Sequence, residues 1–268
     1  MIDDHDGMRV LFLDIETAPH KVYAWGLFKE NIYLDRVIEP GYTLCFAARW
    51  EHDETMHFYS LFTHTMEEML QAMYDLLDEC DVVVHYNGKR FDMPTLNKEF
   101  ILNGFVPPTN YKQIDLYQVV RSTFRFASNK LDFVAQALGL GGKVAHKGME
   151  LWRDCMEGVE AGWGERVSEQ VLESWDTMQE YNEEDVSLLV RLYYKLQPWI
   201  RVHPNRALYL KDPNVRACPK CGSENLVKRG IERPATVNAY QRYKCNDCGA
   251  NSRSRVAVKK QIKPEVVG

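Results

Sequence analysis

No stretch of this 268-residue sequence approaches the roughly 18 uninterrupted apolar residues that a membrane-spanning helix needs. Its start, Met1-Ile2-Asp3-Asp4-His5-Asp6-Gly7, is acidic and lacks the basic segment and apolar run of a secretion signal. A cytoplasmic protein without a membrane partner is therefore expected. Internal repeats are absent, and low complexity is confined to the basic Lys259-Lys260-Gln261-Ile262-Lys263. The glycine-rich basic segment 139–148 lacks the GxxxxGK[ST] spacing of a phosphate-cradling loop, so it reads as a connector. Cysteine is sparse over the first 200 residues. Cys45, Cys80 and Cys155 stand alone there, and buried free thiols are the expectation.

What is present is the composition of a soluble globular chain, 45% hydrophobic and 26% charged. Its length suits one large domain plus a small one. The net charge of −5 is unevenly spread. Residues 201–268 hold 15 Lys+Arg against 5 Asp+Glu, or +10, and residues 1–200 hold 18 against 33, or −15. An acidic body suits bound cations, and a basic tail suits a polyanion. The remaining cysteines form two Cys-x-x-Cys-Gly knuckles, Cys218/Cys221 and Cys245/Cys248, separated by 23 residues. Without a secretion signal this spacing reads as metal rather than disulfide. Four thiolates favour one closed, tetrahedral, structural Zn2+. A module of about 40 residues has too little core to fold alone, so the ion would supply its stability.

Hydrophobic periodicity sketches the body. Val10-Leu11-Phe12-Leu13-Asp14-Ile15-Glu16-Thr17 reads as a strand whose alternation puts Asp14 and Glu16 on one face. Two such carboxylates repel when buried, and a hard divalent cation resolves the repulsion. A strand running out into a polar turn is the plain alternative. Residues 42–50 and 55–62 read as strands joined by a hairpin at Glu51-His52-Asp53-Glu54. A helix is predicted over 66–77, then a strand buried on both faces over 81–86, then a helix over 93–102 capped by Asp92. From Ile114 onward the pattern is helical, over 116–124, 131–138, 149–157 and 171–196. This order predicts an α/β body, a mixed sheet flanked by helices.

Asp14 and Asp92 both fall at the ends of expected parallel strands, where ligands collect. Tyr181-Asn182-Glu183-Glu184-Asp185 puts Tyr181 and Asp185 on one helix face. Tyr-x-x-x-Asp alone is weak, since it recurs at Tyr74/Asp78, Tyr111/Asp115 and Tyr243/Asp247. Taken in order, Asp14-x-Glu16, Asn87-x-x-x-Phe91-Asp92 and Tyr181-x-x-x-Asp185 resemble the three motifs of DEDDy 3′→5′ exonucleases. That branch includes the proofreading domains of family B DNA polymerases. The resemblance covers residues 8–198 and implies a ribonuclease H-like fold. It implies two Mg2+ or Mn2+ ions held by Asp14, Glu16, Asp92 and Asp185, stabilising the attacking and leaving oxygens of a phosphodiester. It also implies that Tyr181 orients the attacking water, because a phenol of ordinary pKa about 10 is a poor base at neutral pH. In the sister branch a histidine stands five residues before the last aspartate, where this chain has Glu180. Substrate contacts are expected from Thr17, Asn87, Phe91 and Lys147. Lys89, Arg90, Lys143 and His146 are further phosphate-contact candidates, and Asp115 is expected to serve as a structural hydrogen-bond acceptor.

Tyr240-Gln241-Arg242-Tyr243-Lys244-Cys245 resembles the zinc ribbons of nucleic-acid proteins. Arg229, Arg233, Arg242, Lys244, Arg253 and Arg255, interleaved with Tyr240 and Tyr243, suit phosphate contacts and base stacking. The expected organisation is an exonuclease domain over 1–200, a linker over 201–215, a zinc ribbon over 216–256 and a basic tail over 257–268. The expected function is metal-dependent 3′→5′ hydrolysis of single-stranded DNA in replication or repair, alone or beside a DNA polymerase. An RNA-trimming exoribonuclease and a catalytically silent, polymerase-docking adaptor are the alternatives.

Overall fold

The computed structural model describes residues 7–162, 166–212, 214–232 and 238–259. The acidic start up to residue 6, Arg233 and the basic tail beyond residue 259 lie outside the described residues. Strand β1 (Val10–Thr17) takes the central place in a sheet because its first four residues, two per face, are all buried. There follow β2 (Lys21–Val22), β3 (Val37–Glu39), β4 (Thr43–Trp50), β5 (Met56–Ser60), α1 (Met66–Glu79), β6 (Val82–His85) and α2 (Asp92–Leu102). Next come β7 (Lys112–Asp115), α3 (Leu116–Thr123), α4 (Leu131–Ala137), α5 (Met149–Ala161) and α6 (Glu169–Leu196). The five-stranded sheet has the order β5-β4-β1-β6-β7. Strand β4 pairs antiparallel with β1 and β5, while β6 pairs parallel with β1 and β7. The sheet is mixed and flanked by helices, and the hairpin falls at residues 51–54 as the sequence predicts.

Alternation along β1 divides the core. Leu11, Leu13 and Ile15 pack with Met69, Leu70, Met73 and Leu77 of α1 and Leu96 of α2. The four α1 side chains have no exposed surface, and each such burial is worth about 1.5–3 kcal/mol. A reciprocal capping box starts α1: the Glu68 N–H donates to Thr65 Oγ1 at 3.2 Å, and the Thr65 N–H to Glu68 Oε2 at 2.8 Å. On the other face, Leu44 and Cys45 pack with Leu151, Cys155 and Met156 of α5 and Val171, Trp175 and Met178 of α6. Asp14 and Glu16 share that second side. Cys45, Cys80 and Cys155 are buried free thiols.

Two expectations change. A helical pattern is expected from Ile114 onward, yet Lys112-Gln113-Ile114-Asp115 forms strand β7. Pairing with β6, Val84 against Ile114 and His85 against Asp115, makes it a strand. Asp92 does not cap α2 from outside. It is the first helical residue, Phe91 takes the N-cap position, and the Asp92 carboxylate turns instead to the Ile15 N–H of β1, 3.4 Å away.

Cα proximity divides the chain into two units, Arg9–Leu192 and one containing Met8 and the described residues from Tyr193 onward. The division falls within α6, ahead of the expected residue 200. In the second unit, residues from the expected linker are tied down: Tyr193 Oη and His203 Nε2 lie 2.7 Å apart, and Arg206 Nη2 donates to Tyr193 Oη at 3.0 Å. Strands β8 (Leu226–Glu232), β9 (Ala239–Cys245) and β10 (Asn251–Lys259) form an antiparallel sheet with β9 in the middle. Among the described residues, no helix is long and apolar enough to cross a membrane.

Candidate active site

The parallel pairing of β1 with β6 ends at Phe12/Val84, two residues before Asp14. Beyond that point β1 is paired only with β4, and the side chains of Asp14 and Glu16 meet α6. One carboxylate oxygen each from Asp14, Glu16 and Asp185 lie within 4.8 Å of one another. Asp92 is outside that trio yet close enough that its charge acts on Asp14. Asp185 Oδ2 pairs with Lys143 Nζ, and its Oδ1 is buried with no hydrogen-bond partner.

Such crowding opposes ionisation. Loss of hydration, then the charges of Asp92, Asp185 and Glu16, lift Asp14 well above the usual carboxylate range. Burial, followed by Asp185, raises Glu16 to about 8. Burial also raises Asp92 to about 7 and pushes Asp185 up. Burial disfavours the Lys143 ammonium, but the attraction of Asp185 outweighs it and the lysine stays charged. One ammonium does not neutralise four carboxylates. An all-oxygen donor set with an orphaned buried oxygen fits a hard divalent cation.

Around this nest the supporting contacts are specific. The Lys143 ammonium donates to Tyr181 Oη at 2.7 Å and also pairs with Asp185 Oδ2, so one cation joins the two side chains. The Tyr181 ring is set edge-on by His146, 4.9 Å away, and by Trp152 at 6.2 Å. Burial and then the Asp185 charge raise the Tyr181 phenol to about 12. Asn182, fully buried, donates from Nδ2 to Asp14 Oδ2 at 2.8 Å and to the Asp14 carbonyl at 3.3 Å.

A cavity of about 630 Å³ opens beside the nest, lined by Asp14, Asp185 and Lys143 with Tyr86, Asn87 and Tyr117. Asn87 adopts φ +67°, and its N–H donates to Asp115 Oδ1 at 2.9 Å. Asp115 also caps α3 through the Gln118 N–H. Lys147 does not enter this cavity. It lines a separate one of about 300 Å³ with His146 and Glu173. The segment read as a connector delivers Lys143 instead, fixed by its N–H to Asp132 Oδ1 at 2.9 Å. Phe91 is 46% exposed at the start of α2, Lys89 and Arg90 are exposed, and Thr17 sits at a register shift ending β1. None of these four lines the cavity. Lys143 and Asn182 escaped sequence reading as members of the nest. The one available signal was a polar Asn between Tyr181 and the apolar helix face.

In the second unit, the four cysteines bring one sulfur each within 4.8 Å of the others. Cys218 and Cys248 Sγ are 3.6 Å apart, as are Cys221 and Cys245. That is too long for a disulfide and close to the ~3.8 Å edge of a tetrahedron with ~2.3 Å zinc–sulfur bonds. Each knuckle closes on a glycine at φ +79°: the Gly222 N–H donates to the Cys218 carbonyl at 2.9 Å and the Gly249 N–H to the Cys245 carbonyl at 3.1 Å.

A family model described as the RNase_H superfamily matches residues 11–197. The chain belongs to the RNase H superfamily. The segment shared with that superfamily holds Asp14, Glu16, Asp92, Tyr181 and Asp185, and the four cysteines lie beyond it. Among solved structures, this RNase H-like chain is similar to the family B DNA polymerase from the hyperthermophilic archaeon Pyrobaculum calidifontis, with 18% identity and a TM-score of 0.50. The match covers 71% of this chain and 25% of that one, so the chain spans about a quarter of the polymerase's length. At that identity the likeness is one of fold. No curated protein matches the chain. Membership of the RNase H superfamily supports a nuclease.

Proposed function

We propose that this RNase H-superfamily chain is a metal-dependent 3′→5′ exonuclease of the DEDDy type, acting on single-stranded DNA, with a zinc ribbon that assists nucleic-acid binding. The carrying observation is the convergence of Asp14, Glu16 and Asp185 within 4.8 Å, with the Lys143 ammonium joining the same Asp185 to the Tyr181 hydroxyl. Asp14, Glu16, Asp92 and Asp185 would hold two Mg2+ or Mn2+ ions. When bound, these would supply charge stabilisation for the attacking and leaving oxygens of an in-line displacement. Asn182 fixes the Asp14 carboxylate in place for that task. Tyr181, raised to about 12, keeps its proton at neutral pH. It therefore serves as a hydrogen-bond donor that orients water or a phosphate oxygen, and not as a general base. The Lys143 ammonium places positive charge beside the scissile phosphate, while Tyr86 and Tyr117 offer rings to the terminal base. Cys218, Cys221, Cys245 and Cys248 would hold one structural Zn2+.

Likeness of fold to a DNA polymerase supports DNA as the substrate, a cytoplasmic replication or repair setting, and a polymerase as partner. The test uses labelled DNA and RNA oligonucleotides, with free or blocked 3′ ends, in Mg2+ or in EDTA. DNA with a free 3′ end is expected to shorten only with metal, and a 3′ block to protect it. Preferential shortening of RNA would make the chain an exoribonuclease. No shortening from either free 3′ end would overturn the enzyme reading and leave the adaptor. Asp14→Ala is expected to abolish hydrolysis and retain binding, and unchanged turnover would overturn the site.

A further inference from the structure

Strand β9 sorts its side chains by alternation. Tyr243 and Cys245 turn inward, 8% and 0% exposed, and Cys245 is part of the thiolate cluster. Tyr240, Arg242 and Lys244 occupy the outward face, which the sequence alone did not separate from Tyr243. The register carries that face across the sheet. Arg242 lies directly opposite Arg253 of β10, and Lys244 lies between Asn251 of β10 and Val227 of β8. Like charges facing each other on a ladder are unfavourable in isolation. Among the described residues, no carboxylate forms an ion pair with Arg242, Lys244 or Arg253. Both guanidinium groups are nonetheless held in place. Arg253 lies over the Tyr240 ring at 4.2 Å, and Arg242 Nη2 donates to the Arg229 carbonyl at 3.1 Å.

Two held guanidinium groups and an ammonium side by side on one sheet face, none of them ion-paired among the described residues, are complementary to a linear polyanion. We infer that the outward face of the β8–β10 sheet, centred on Arg242, Lys244 and Arg253, is a docking surface for the phosphate backbone of nucleic acid, read without regard to sequence. The choice of nucleic acid over other polyanions rests on the reading of the carboxylate nest as a phosphodiesterase centre. Tyr240 is held under Arg253, so the face grips phosphates first and adds stacking second. Three phosphate contacts give a defined salt dependence. Each adds about 0.7 to the log–log slope for a single strand, hence about 2 together and about 100-fold in affinity at 0.1 M salt.

Fluorescence anisotropy with a labelled thirty-residue oligo-dT tests this on the full chain, kept from hydrolysing by Asp14→Asn. In that background Arg242→Gln/Lys244→Gln/Arg253→Gln should weaken binding about 100-fold at 0.1 M salt and flatten the slope by about 2. Lys228→Gln, which pairs with inward-facing Tyr243 and lies off this face, should leave both unchanged. Zinc content, measured alongside, should stay at one per chain. If the triple variant loses zinc, Arg253→Glu with zinc retained decides in its place. Wild-type affinity and slope in the zinc-bound variant would overturn the inference. So would binding of phosphatidylserine vesicles, but not oligo-dT, through these three residues. Because binding is read without hydrolysis, loss of this inference and loss of the exonuclease reading are separate outcomes.

Discussion

Burial, and then the charges of three neighbouring carboxylates, raise the pKa of Asp14, with Lys143 acting the other way. Replacing Asp14 by the isosteric Asn removes a repelled charge and keeps the volume. Asp14→Asn is expected to abolish hydrolysis yet raise the melting temperature of the metal-free protein by about 3–6 °C, for about 1–2 kcal/mol. A lower melting temperature would show that the ionised carboxylate is not a burden on the fold. Asn182 works through Asp14. Asn182→Ala should lower kcat about 10–100-fold while leaving KM for the oligonucleotide nearly unchanged, since its amide touches the carboxylate and not the nucleic acid. An effect confined to KM would contradict that role. The meeting of Asp14, Glu16 and Asp185 was half legible, because alternation in a strand and i, i+4 in a helix are local rules that pair Asp14 with Glu16 and Tyr181 with Asp185. Asp92 follows from neither rule and lies outside the trio.

The decisive element is the corner from β6 through Gly88 into α2, which sets Asp92 against β1. A side chain at Gly88 would enter the His85 ring, coming within 2.6 Å of Nδ1. His85 has no room to yield: it is fully buried, with Gln113 3.2 Å from Nε2 and the Gly88 N–H 3.1 Å from Nδ1. Gly88→Ala should therefore destabilise the protein by about 2 kcal/mol and lower activity as α2 shifts. Thermal melting and turnover check both. Wild-type stability would mean that the corner relaxes freely. Strands β1, β4 and β6 and helix α1 could be read from apolar periodicity. Strand β7 could not, because an edge strand of four residues with a single aliphatic side chain owes its form to its neighbour.

For the whole molecule, the buried carboxyls predict how pH and metal act together. Glu16 is lifted from 4.5 to about 8 and Asp92 from 3.8 to about 7. Between about pH 4 and 8 the folded chain thus binds protons that the unfolded chain has released. Metal-free stability should fall as pH rises through that window, then level off above it. Added Mg2+ or Mn2+ should reverse the fall and bind more tightly towards pH 8, where it displaces fewer protons. Melting curves against pH, with and without Mg2+, check this; metal-free stability rising over the window would contradict it. The thiolate cluster makes its own prediction. Cys245→Ser should lose zinc and amide-exchange protection in β8–β10, while protection in β1, β4 and β6 persists. Retention of one tightly held zinc would overturn the four-cysteine site.

By itself, the sequence determined that Asp14 and Glu16 share a face, that Tyr181 and Asp185 share another, and that two Cys-x-x-Cys-Gly turns make matching knuckles. Each follows from a repeat of two to four residues in a single element. Tertiary structure alone decided that Lys143 reaches Tyr181 and Asp185 across 38 and 42 positions and that Asn182 grips Asp14 across 168. It alone turned Tyr243 inward and left Arg242 facing Arg253. Contacts between distant positions leave no periodic trace in a chain, because they depend on which faces the packed elements turn towards each other.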